Sequence, residues 1–203
     1  MKQPTIRTFT GKIVNPLALR PDDIDIEDIA HHLACFNRFC GALVCPVNIA
    51  AHSLLVARIV GYFTEDPTIE MQALLHDATE AYLGDVTKWL KQSPAMAGYR
   101  LAELHANNII MDKFGLPREL HPSIEDADRV AVTFEGQLGF QDPNWPKLKK
   151  YPPLTNDEMM AIDGWYCFYE WQKSKDLFLE RYNQLTHQIN LGCDEDEDDT
   201  ESN

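Results

Sequence analysis

The chain has 203 residues, of which 44% are hydrophobic and 25% are charged. This length and this balance suit one domain with a sizeable hydrophobic core. The longest apolar runs are interrupted by polar residues and are shorter than the roughly 20 residues that cross a bilayer. The first residues lack the apolar centre of a signal peptide. We therefore expect a cytoplasmic protein that has no membrane partner.

The formal net charge is −14, and half of it comes from residues 194–203, which contain seven acidic residues and no basic one. A run of like charges repels itself and buries little apolar surface. We interpret residues 191–203 as a disordered acidic tail, with a role in protein docking as the alternative. An acidic surface also argues against binding to duplex nucleic acid, although a nucleotide could bind in a local basic pocket.

The five cysteines form no CxxC pair and do not have the spacing of a zinc ribbon. We interpret them as reduced and mostly structural, because none lies in an evident electropositive environment. A thiolate metal site or a nucleophilic cysteine is the alternative.

Hydrophobic periodicity predicts helices over most of the chain. Residues 1–24 are irregular and rich in proline, and residues 8–14 are the only candidate strand or hairpin. The predicted helices span residues 25–37, 47–63, 67–83, 94–114, 123–138 and 156–189. The sequence therefore predicts an all-α fold, in which a short irregular or β segment at 1–24 precedes a single compact helical domain at 25–190.

An adjacent histidine and aspartate, His76 and Asp77, lie within the segment ALLHDATEAYLGD, which otherwise has the pattern of a buried helix. A carboxylate and an imidazole are costly to remove from water unless both gain a partner. A divalent metal ion suits both groups. The pair therefore predicts metal chemistry if further ligands converge on it.

Two further ionisable side chains lie on apolar faces of predicted helices. His52 shares a face with Ile49 and Val56, and Asp128 shares one with Ile124. Together with the His-Asp pair, they predict one divalent ion bound by two histidines and two aspartates. The alternatives are a hydrogen-bonded core histidine and an aspartate that pairs with a neighbouring arginine or with a helix end.

The predicted ion is a transition metal. Zinc, manganese, iron, cobalt and nickel all accept imidazole and carboxylate ligands, and ligand type alone does not select among them. A single ion is favoured over two, because the sequence has no additional histidine cluster that would hold a second one.

The order of these ligands, H…HD…D, resembles that of the HD-domain metal-dependent phosphohydrolase superfamily. Four segments are similar to its small single-domain branch, which contains bacterial 5′-deoxynucleotidases and viral dATP triphosphohydrolases: IEDIAHHLACFNRFCG, AAHSLLVA, ALLHDATEAYLGDVTKWLK and EDADRVAVTFE. The similarity covers about residues 8–138. It implies an HD-domain helical bundle, hydrolysis of a nucleotide phosphate at the metal and, if the chain is viral, a location in the host cytoplasm.

The resemblance also implies roles for residues around the metal. Glu80 and Asp85 match carboxylates that transfer protons or orient water, and Arg38 matches a phosphate-binding arginine. These three residues are therefore the candidates for catalysis and for binding of the reacting phosphate.

Further substrate contacts are expected from Lys88, Lys91 and Phe39. A multiply charged substrate needs cations beyond the metal, which makes the two lysines candidate phosphate ligands. The alternative is that both lysines are solvated surface residues. Phe39 could stack on a base or a sugar, or it could pack in the core.

The best functional interpretation is a dNTP triphosphohydrolase of the dATP type, which releases deoxynucleoside and triphosphate. The first alternative is a 5′-deoxynucleotidase that acts on deoxynucleoside monophosphates. The second is a non-catalytic nucleotide-binding module that uses the acidic tail as a docking arm. The aromatic segment GWYCFYEWQ could also provide a face for homo-oligomer formation.

Overall fold

A short β-hairpin opens the computed structural model, which describes residues 4–146 and 170–198. Strands β1 (Ile6–Arg7) and β2 (Ile13–Val14) pair antiparallel, with Ile6 opposite Val14. The connecting turn contains Gly11 at a φ of 91°, a left-handed backbone conformation that glycine adopts without strain. A hairpin is therefore present at the candidate segment 8–14, but only its second strand lies within that segment, because the first strand, Ile6–Arg7, precedes it.

The other regular elements of the described chain are helices, as the predicted all-α class requires. Its α-helices are α1 (Ile26–Cys35), α2 (Ile49–Thr64), α3 (Pro67–Leu74), α4 (Glu80–Leu83), α5 (Lys88–Lys91), α6 (Ala97–Lys113), α7 (Pro122–Gly139) and α8 (Trp171–Asp198). Short 3-10 turns lie at Pro21–Asp23, Arg38–Gly41 and Pro94–Met96. Among the described residues, none of the helices is long and apolar enough to span a membrane.

Helix α2 forms the centre of the core and packs against α1, α3, α7 and α8. Its side chains at Ile49, Val56 and Ile59 are at most 1% exposed. His52 is on the same face and is fully buried, as the helical spacing predicts. Burial of each large aliphatic side chain contributes roughly 1.5–3 kcal/mol, so the packing of this helix fixes the position of the histidine.

The His76-Asp77 pair lies in a turn, whereas the sequence predicts one continuous helix over residues 67–83. Helix α3 ends at Leu74. The hydrogen bonds that follow span three residues instead of four, such as that from the Ala78 amide to the Leu75 carbonyl at 3.0 Å. The His76 ring explains the break, because its Nδ1–H donates to the Ala73 carbonyl at 2.8 Å. In a continuous helix that carbonyl would accept the amide of Asp77 instead.

Gln72 joins α3 to the beginning of α7. Its amide nitrogen donates to the carbonyls of Pro117 and Glu119 at 2.7 and 2.9 Å, and its amide oxygen accepts the His121 amide at 3.2 Å. Gln72 is 2% exposed, so these bonds are protected from water. This clamp places α7 beside the segment that carries His76.

The hairpin is attached to α1 through the side chains of Asp28, which is buried, and His32, which also contacts α4. Asp28 accepts the Thr10 amide at 2.7 Å and the Thr10 hydroxyl at 2.9 Å. His32 donates from Nδ1 to the Ala81 carbonyl at 2.6 Å and accepts the Phe9 amide at Nε2. His32 therefore has a structural role, and it holds the helix that begins at Glu80.

Helix α8 packs on α1, α2 and α3. The Asn48 amide donates to the Ser174 hydroxyl at 2.9 Å, which fixes the beginning of α8 against that of α2. The helix continues to Asp198, into the segment 191–203 for which the sequence predicts disorder. Most of GWYCFYEWQ lies outside the described residues, so the predicted oligomer face, like the proposed domain boundaries, stays a prediction.

Candidate metal centre

Three of the four predicted metal ligands converge in the core. His52, His76 and Asp77 each offer one ligand atom, and these atoms all lie within 4.8 Å of one another. Asp77 Oδ2 is 3.7 Å from His52 Nε2 and 3.3 Å from His76 Nε2. One ligand comes from α2 and two come from the turn after α3, so the group could hold a metal ion.

Hydrogen bonds orient both imidazole rings toward the same point. Since a carboxylate oxygen and a carbonyl oxygen can only accept, His52 Nδ1–H donates to Glu135 at 2.9 Å, and His76 Nδ1–H donates to Ala73. Both Nε2 atoms are buried and have no hydrogen-bond partner among the described residues. Histidines that bind metals commonly donate their other ring N–H in this way. The two unpaired nitrogens therefore fit a metal ion.

Asp128, the fourth predicted ligand, lies at the edge of this group. Its Oδ1 is 3.1 Å from His52 Nε2, outside hydrogen-bonding geometry, and its side chain is 39% exposed. It does not belong to the set of atoms that lie within 4.8 Å of one another. Its role as a ligand stays a prediction.

Arg38 lies among the carboxylates of the centre. Its Nε donates to Glu135 at 3.1 Å, one terminal nitrogen to Asp77 at 3.3 Å, and the other is 3.9 Å from Asp128. The backbone immediately after it is left-handed, with a φ of 54° at Phe39. A non-glycine residue in this conformation stores strain, a feature that clusters at functional sites.

The charges of the centre shift the pKa values of its ligands. Burial lowers the pKa of His76, but the Asp77 carboxylate more than offsets this and raises it to about 9. Burial of Asp77 is likewise outweighed by His76, His52 and Arg38, which hold the pKa of this carboxyl well below its usual range. At neutral pH a metal ion must therefore displace a proton from His76.

The two predicted catalytic carboxyls lie in the same electrostatic environment. Burial, Asp77 and Asp85 raise the pKa of Glu80 to about 9. Glu80 Oε1 is 3.4 Å from Lys91, and its buried Oε2 has no hydrogen-bond partner among the described residues. Burial also raises the pKa of Asp85, which follows α4 in the chain. Both groups can therefore hold a proton at a higher pH than an exposed carboxyl.

The three remaining predicted substrate-binding residues, Lys91, Lys88 and Phe39, differ in their surroundings. Lys91 pairs with Glu103 at 2.6 Å as well as with Glu80. Lys88 is exposed and has no ion pair among the described residues. Phe39 packs edge-on against the rings of Phe140 and Trp145, with centroids 5.2 and 6.1 Å apart, which is the packing alternative.

A cleft of about 240 Å³ opens beside the centre. Its lining consists of His76, Asp77 and Thr79 on one side and of Arg100, Glu103, Leu104 and Asn107 from α6 on the other. The α6 residues carry no functional signal in the sequence, because a stripe of mixed polar and apolar side chains is typical of an ordinary surface helix.

Glu135 is the other residue of the site that the sequence does not mark as functional. It is fully buried on α7 and binds both His52 and Arg38. Glu135 follows Asp128 by seven residues, so both lie on one helical face. This spacing is the feature of the sequence that indicates that Glu135 lies near Asp128.

The fold and the site define a helical protein with a candidate metal centre. No known protein-family profile matches the chain. The chain is 30% identical over 183 residues to YfdR of Escherichia coli, covering 89% of this chain and 95% of YfdR. It is 34% identical over 144 residues to a protein of Rhodobacter capsulatus, covering 68% of this chain and 72% of that protein. The chain therefore belongs to the same family as YfdR, and both relatives are named as uncharacterised proteins.

Proposed function

We propose that the protein is a metal-dependent phosphohydrolase of the HD-domain type that acts on deoxynucleotides, with a dNTP of the dATP type as its first candidate substrate. The observation that carries this proposal is the pair of buried, unpaired Nε2 atoms on His52 and His76, which converge with Asp77. Deoxynucleoside and triphosphate are the expected products.

His52, His76 and Asp77 would hold one divalent transition metal, with Asp128 as the fourth ligand. When bound, such an ion acts as a Lewis acid toward a phosphoryl oxygen and activates water at neutral pH. Zinc, manganese, iron, cobalt and nickel all suit this set of donors.

Arg38 binds an oxygen of the reacting phosphate, because its guanidinium lies 3.3 Å from Asp77 and 3.9 Å from Asp128, at the edge of the proposed metal site. Water attacks the phosphorus that is bonded to the 5′ oxygen of the deoxyribose, and the bond between that phosphorus and the 5′ oxygen breaks. Glu80 donates a proton to that oxygen, and Asp85 accepts one from the attacking water. Burial is the largest cause of the raised pKa of Glu80 in the metal-free protein, and this burial supports the role of proton donor.

A deoxynucleoside monophosphate is the second candidate substrate. The ion pair of Lys91 with Glu103 at 2.6 Å favours it, because a lysine that is already neutralised is a weak ligand for distal phosphates. The proton chemistry at the 5′ oxygen would be the same, and inorganic phosphate would be released.

A product assay tests the proposal. The protein is loaded in turn with zinc, manganese, cobalt, nickel and iron(II) and is incubated with all deoxynucleoside mono-, di- and triphosphates. We expect deoxynucleoside together with triphosphate or phosphate, and the inorganic product distinguishes the two candidate substrates. Absence of both products with every metal would contradict the proposal.

Matched histidine variants and a truncation separate enzyme from binding module. His76→Ala should abolish the activity, whereas His187→Ala, which changes an exposed histidine on α8, should preserve it. Removal of residues 194–203 should also preserve it. If the truncation abolished function and His76→Ala did not, the non-catalytic module would be the better interpretation.

A further inference from the structure

One face of α6 borders the cleft beside the metal centre. Arg100, Glu103, Leu104 and Asn107 line the cleft, and their spacing of three, four and seven residues from Arg100 forms one continuous stripe. The core side of the same helix is formed by different residues, namely Ala102, Ala106 and Ile110, which are at most 7% exposed. These four residues, which we call the α6 stripe, therefore face the cleft and not the core.

The middle of the α6 stripe is apolar. Leu104 is 59% exposed, although it lines a concave surface next to His76 and Asp77. A leucine in such a position gains stability when a flat apolar group covers it. The face of a nucleobase is such a group, and enzymes commonly hold bases against apolar side chains.

The polar groups that flank Leu104 offer hydrogen-bond acceptors. Glu103 uses Oε1 to bind Lys91, and Asn107 uses its amide nitrogen to donate to the Arg118 carbonyl at 3.2 Å. Glu103 Oε2 and Asn107 Oδ1 have no hydrogen-bond partner among the described residues. The side of the cleft formed by α6 therefore accepts hydrogen bonds on both sides of its apolar centre.

Arg100 holds the stripe in place. Its guanidinium donates to the backbone carbonyls of Lys91 and Ser93, the latter at 2.8 Å. These bonds connect α6 to the last residue of α5 and to the segment that follows it. The guanidinium is thus engaged with backbone, and the recognition groups of the stripe are Glu103, Leu104 and Asn107.

We propose that the α6 stripe recognises the base of the substrate and selects nucleotides whose base carries an exocyclic amino group. An amino group donates to the acceptors of Glu103 and Asn107, whereas a carbonyl at the same position would face them as a second acceptor. This inference rests on the proposed function, since it assumes that the phosphate lies at the metal centre.

Pairs of substrates that differ in this one group test the inference. Deoxycytidine and deoxyuridine nucleotides form one pair, and deoxyadenosine and deoxyinosine nucleotides form the other. We expect kcat/KM to be about tenfold higher for the amino-bearing member of each pair. Glu103→Gln and Asn107→Ala should each reduce this ratio to about twofold or less.

Asn108→Ala is the matched control, because Asn108 is the next residue of α6 and does not line the cleft. Its substrate ratio should equal that of the unchanged protein. A variant that merely distorts the site lowers kcat/KM for both members of a substrate pair and leaves their ratio unchanged. The ratio of the two kcat/KM values therefore separates base recognition from structural damage.

Calorimetric binding of the same nucleotides to the metal-loaded protein separates the two proposals. Hydrolysis with equal kcat/KM within each pair would overturn the inference and leave the phosphohydrolase function standing. Tighter binding of the amino-bearing nucleotides without any hydrolysis would overturn the function and support the inference. If the nucleotides were neither bound nor hydrolysed, both the proposed function and the inference would be overturned.

Discussion

Glu135 divides its carboxylate between two residues of the centre. One oxygen accepts from His52 Nδ1 at 2.9 Å, and the other accepts from Arg38 Nε at 3.1 Å. The first bond fixes the tautomer of the histidine, and the second holds the guanidinium near Asp77. A single buried side chain thus orients both a candidate metal ligand and the cation proposed to bind phosphate.

We predict that Glu135→Gln weakens metal binding by about 10- to 100-fold, because the loss of a carboxylate behind a ligand histidine lowers its basicity and frees its orientation. Calorimetric titration with zinc or manganese measures the effect. Glu125→Gln is the control, since Glu125 is on the same helix and its side chain is 80% exposed. Equal affinities of the two variants would show that Glu135 does not support the centre.

The sequence predicts the position of His52 because burial leaves a periodic signal. The apolar neighbours at helical spacing place its ring in the core, and the adjacent His76 and Asp77 are conspicuous in an apolar segment. Glu135 leaves a weaker signal, because an isolated acidic residue on an amphipathic helix is typical of the solvent side. Its function depends on a contact 83 residues away in the chain, which spacing within one helix does not reveal.

Helices α2, α3 and α8 approach closely at Gly61. Glu70 on α3 is 6% exposed, and Arg181 on α8 binds its Oε1 through two nitrogens at 2.7 and 2.6 Å. A methyl group on Gly61 would overlap the Glu70 carboxylate. The glycine on α2 therefore provides the space that this ion pair occupies.

We predict opposite effects for two glycine-to-alanine substitutions in helices. Gly61→Ala should destabilise the protein, because an overlap in a packed region costs roughly 1–3 kcal/mol, more than the about 0.5–1 kcal/mol that alanine gains in a helix. Gly98→Ala on α6 meets no atom within 4 Å and should stabilise the protein by about 0.5–1 kcal/mol. Urea unfolding measures both, and a stabilising Gly61→Ala would contradict the close approach.

At the level of elements, the sequence predicts α1, α2, α6 and α7 within about three residues at each end, because their apolar faces repeat regularly. The sequence does not predict the short helix α5, and it ends the last helix at residue 189, whereas α8 continues to Asp198. It misses the break after Leu74, since nothing in the composition of ALLHDATEAYLGD disfavours a helix. The break arises where the His76 ring competes for the Ala73 carbonyl, a local bond that average helix propensities do not include.

For the whole molecule, the shifted carboxyl of Glu80 links stability to pH. Its pKa is raised from 4.5 to about 9, so the folded state binds this proton more tightly than the unfolded chain does. The resulting contribution to the free energy of unfolding is present below pH 4.5 and is lost as the pH rises through about 9. His76 acts in the same direction, with a pKa that rises from 6.5 to about 9.

We predict that the metal-free protein loses stability between pH 6 and pH 9, and that Glu80→Gln makes this dependence less steep. Asp77 does not alter this expectation. Because its pKa is lowered in the folded state, its contribution to the free energy of unfolding does not change with pH above its ordinary pKa of 3.8. Urea midpoints measured in EDTA test this. Glu119→Gln, a change at an exposed glutamate, should leave the slope of the urea midpoint against pH unchanged. If Glu80→Gln also had the same slope as the unchanged protein, the prediction would be refuted.

The distance along the chain between His52 and Glu135 has a consequence for biosynthesis. A ribosome makes α2 long before α7, and the contact between these residues spans 83 positions. A nascent chain that has reached only α6 therefore has its histidines and Asp77 but lacks the carboxylate that fixes the ring of His52. The candidate centre is complete only after α7 has left the exit tunnel, so a metal ion would meet the oriented ring of His52 only once nearly the whole helical core has been synthesised.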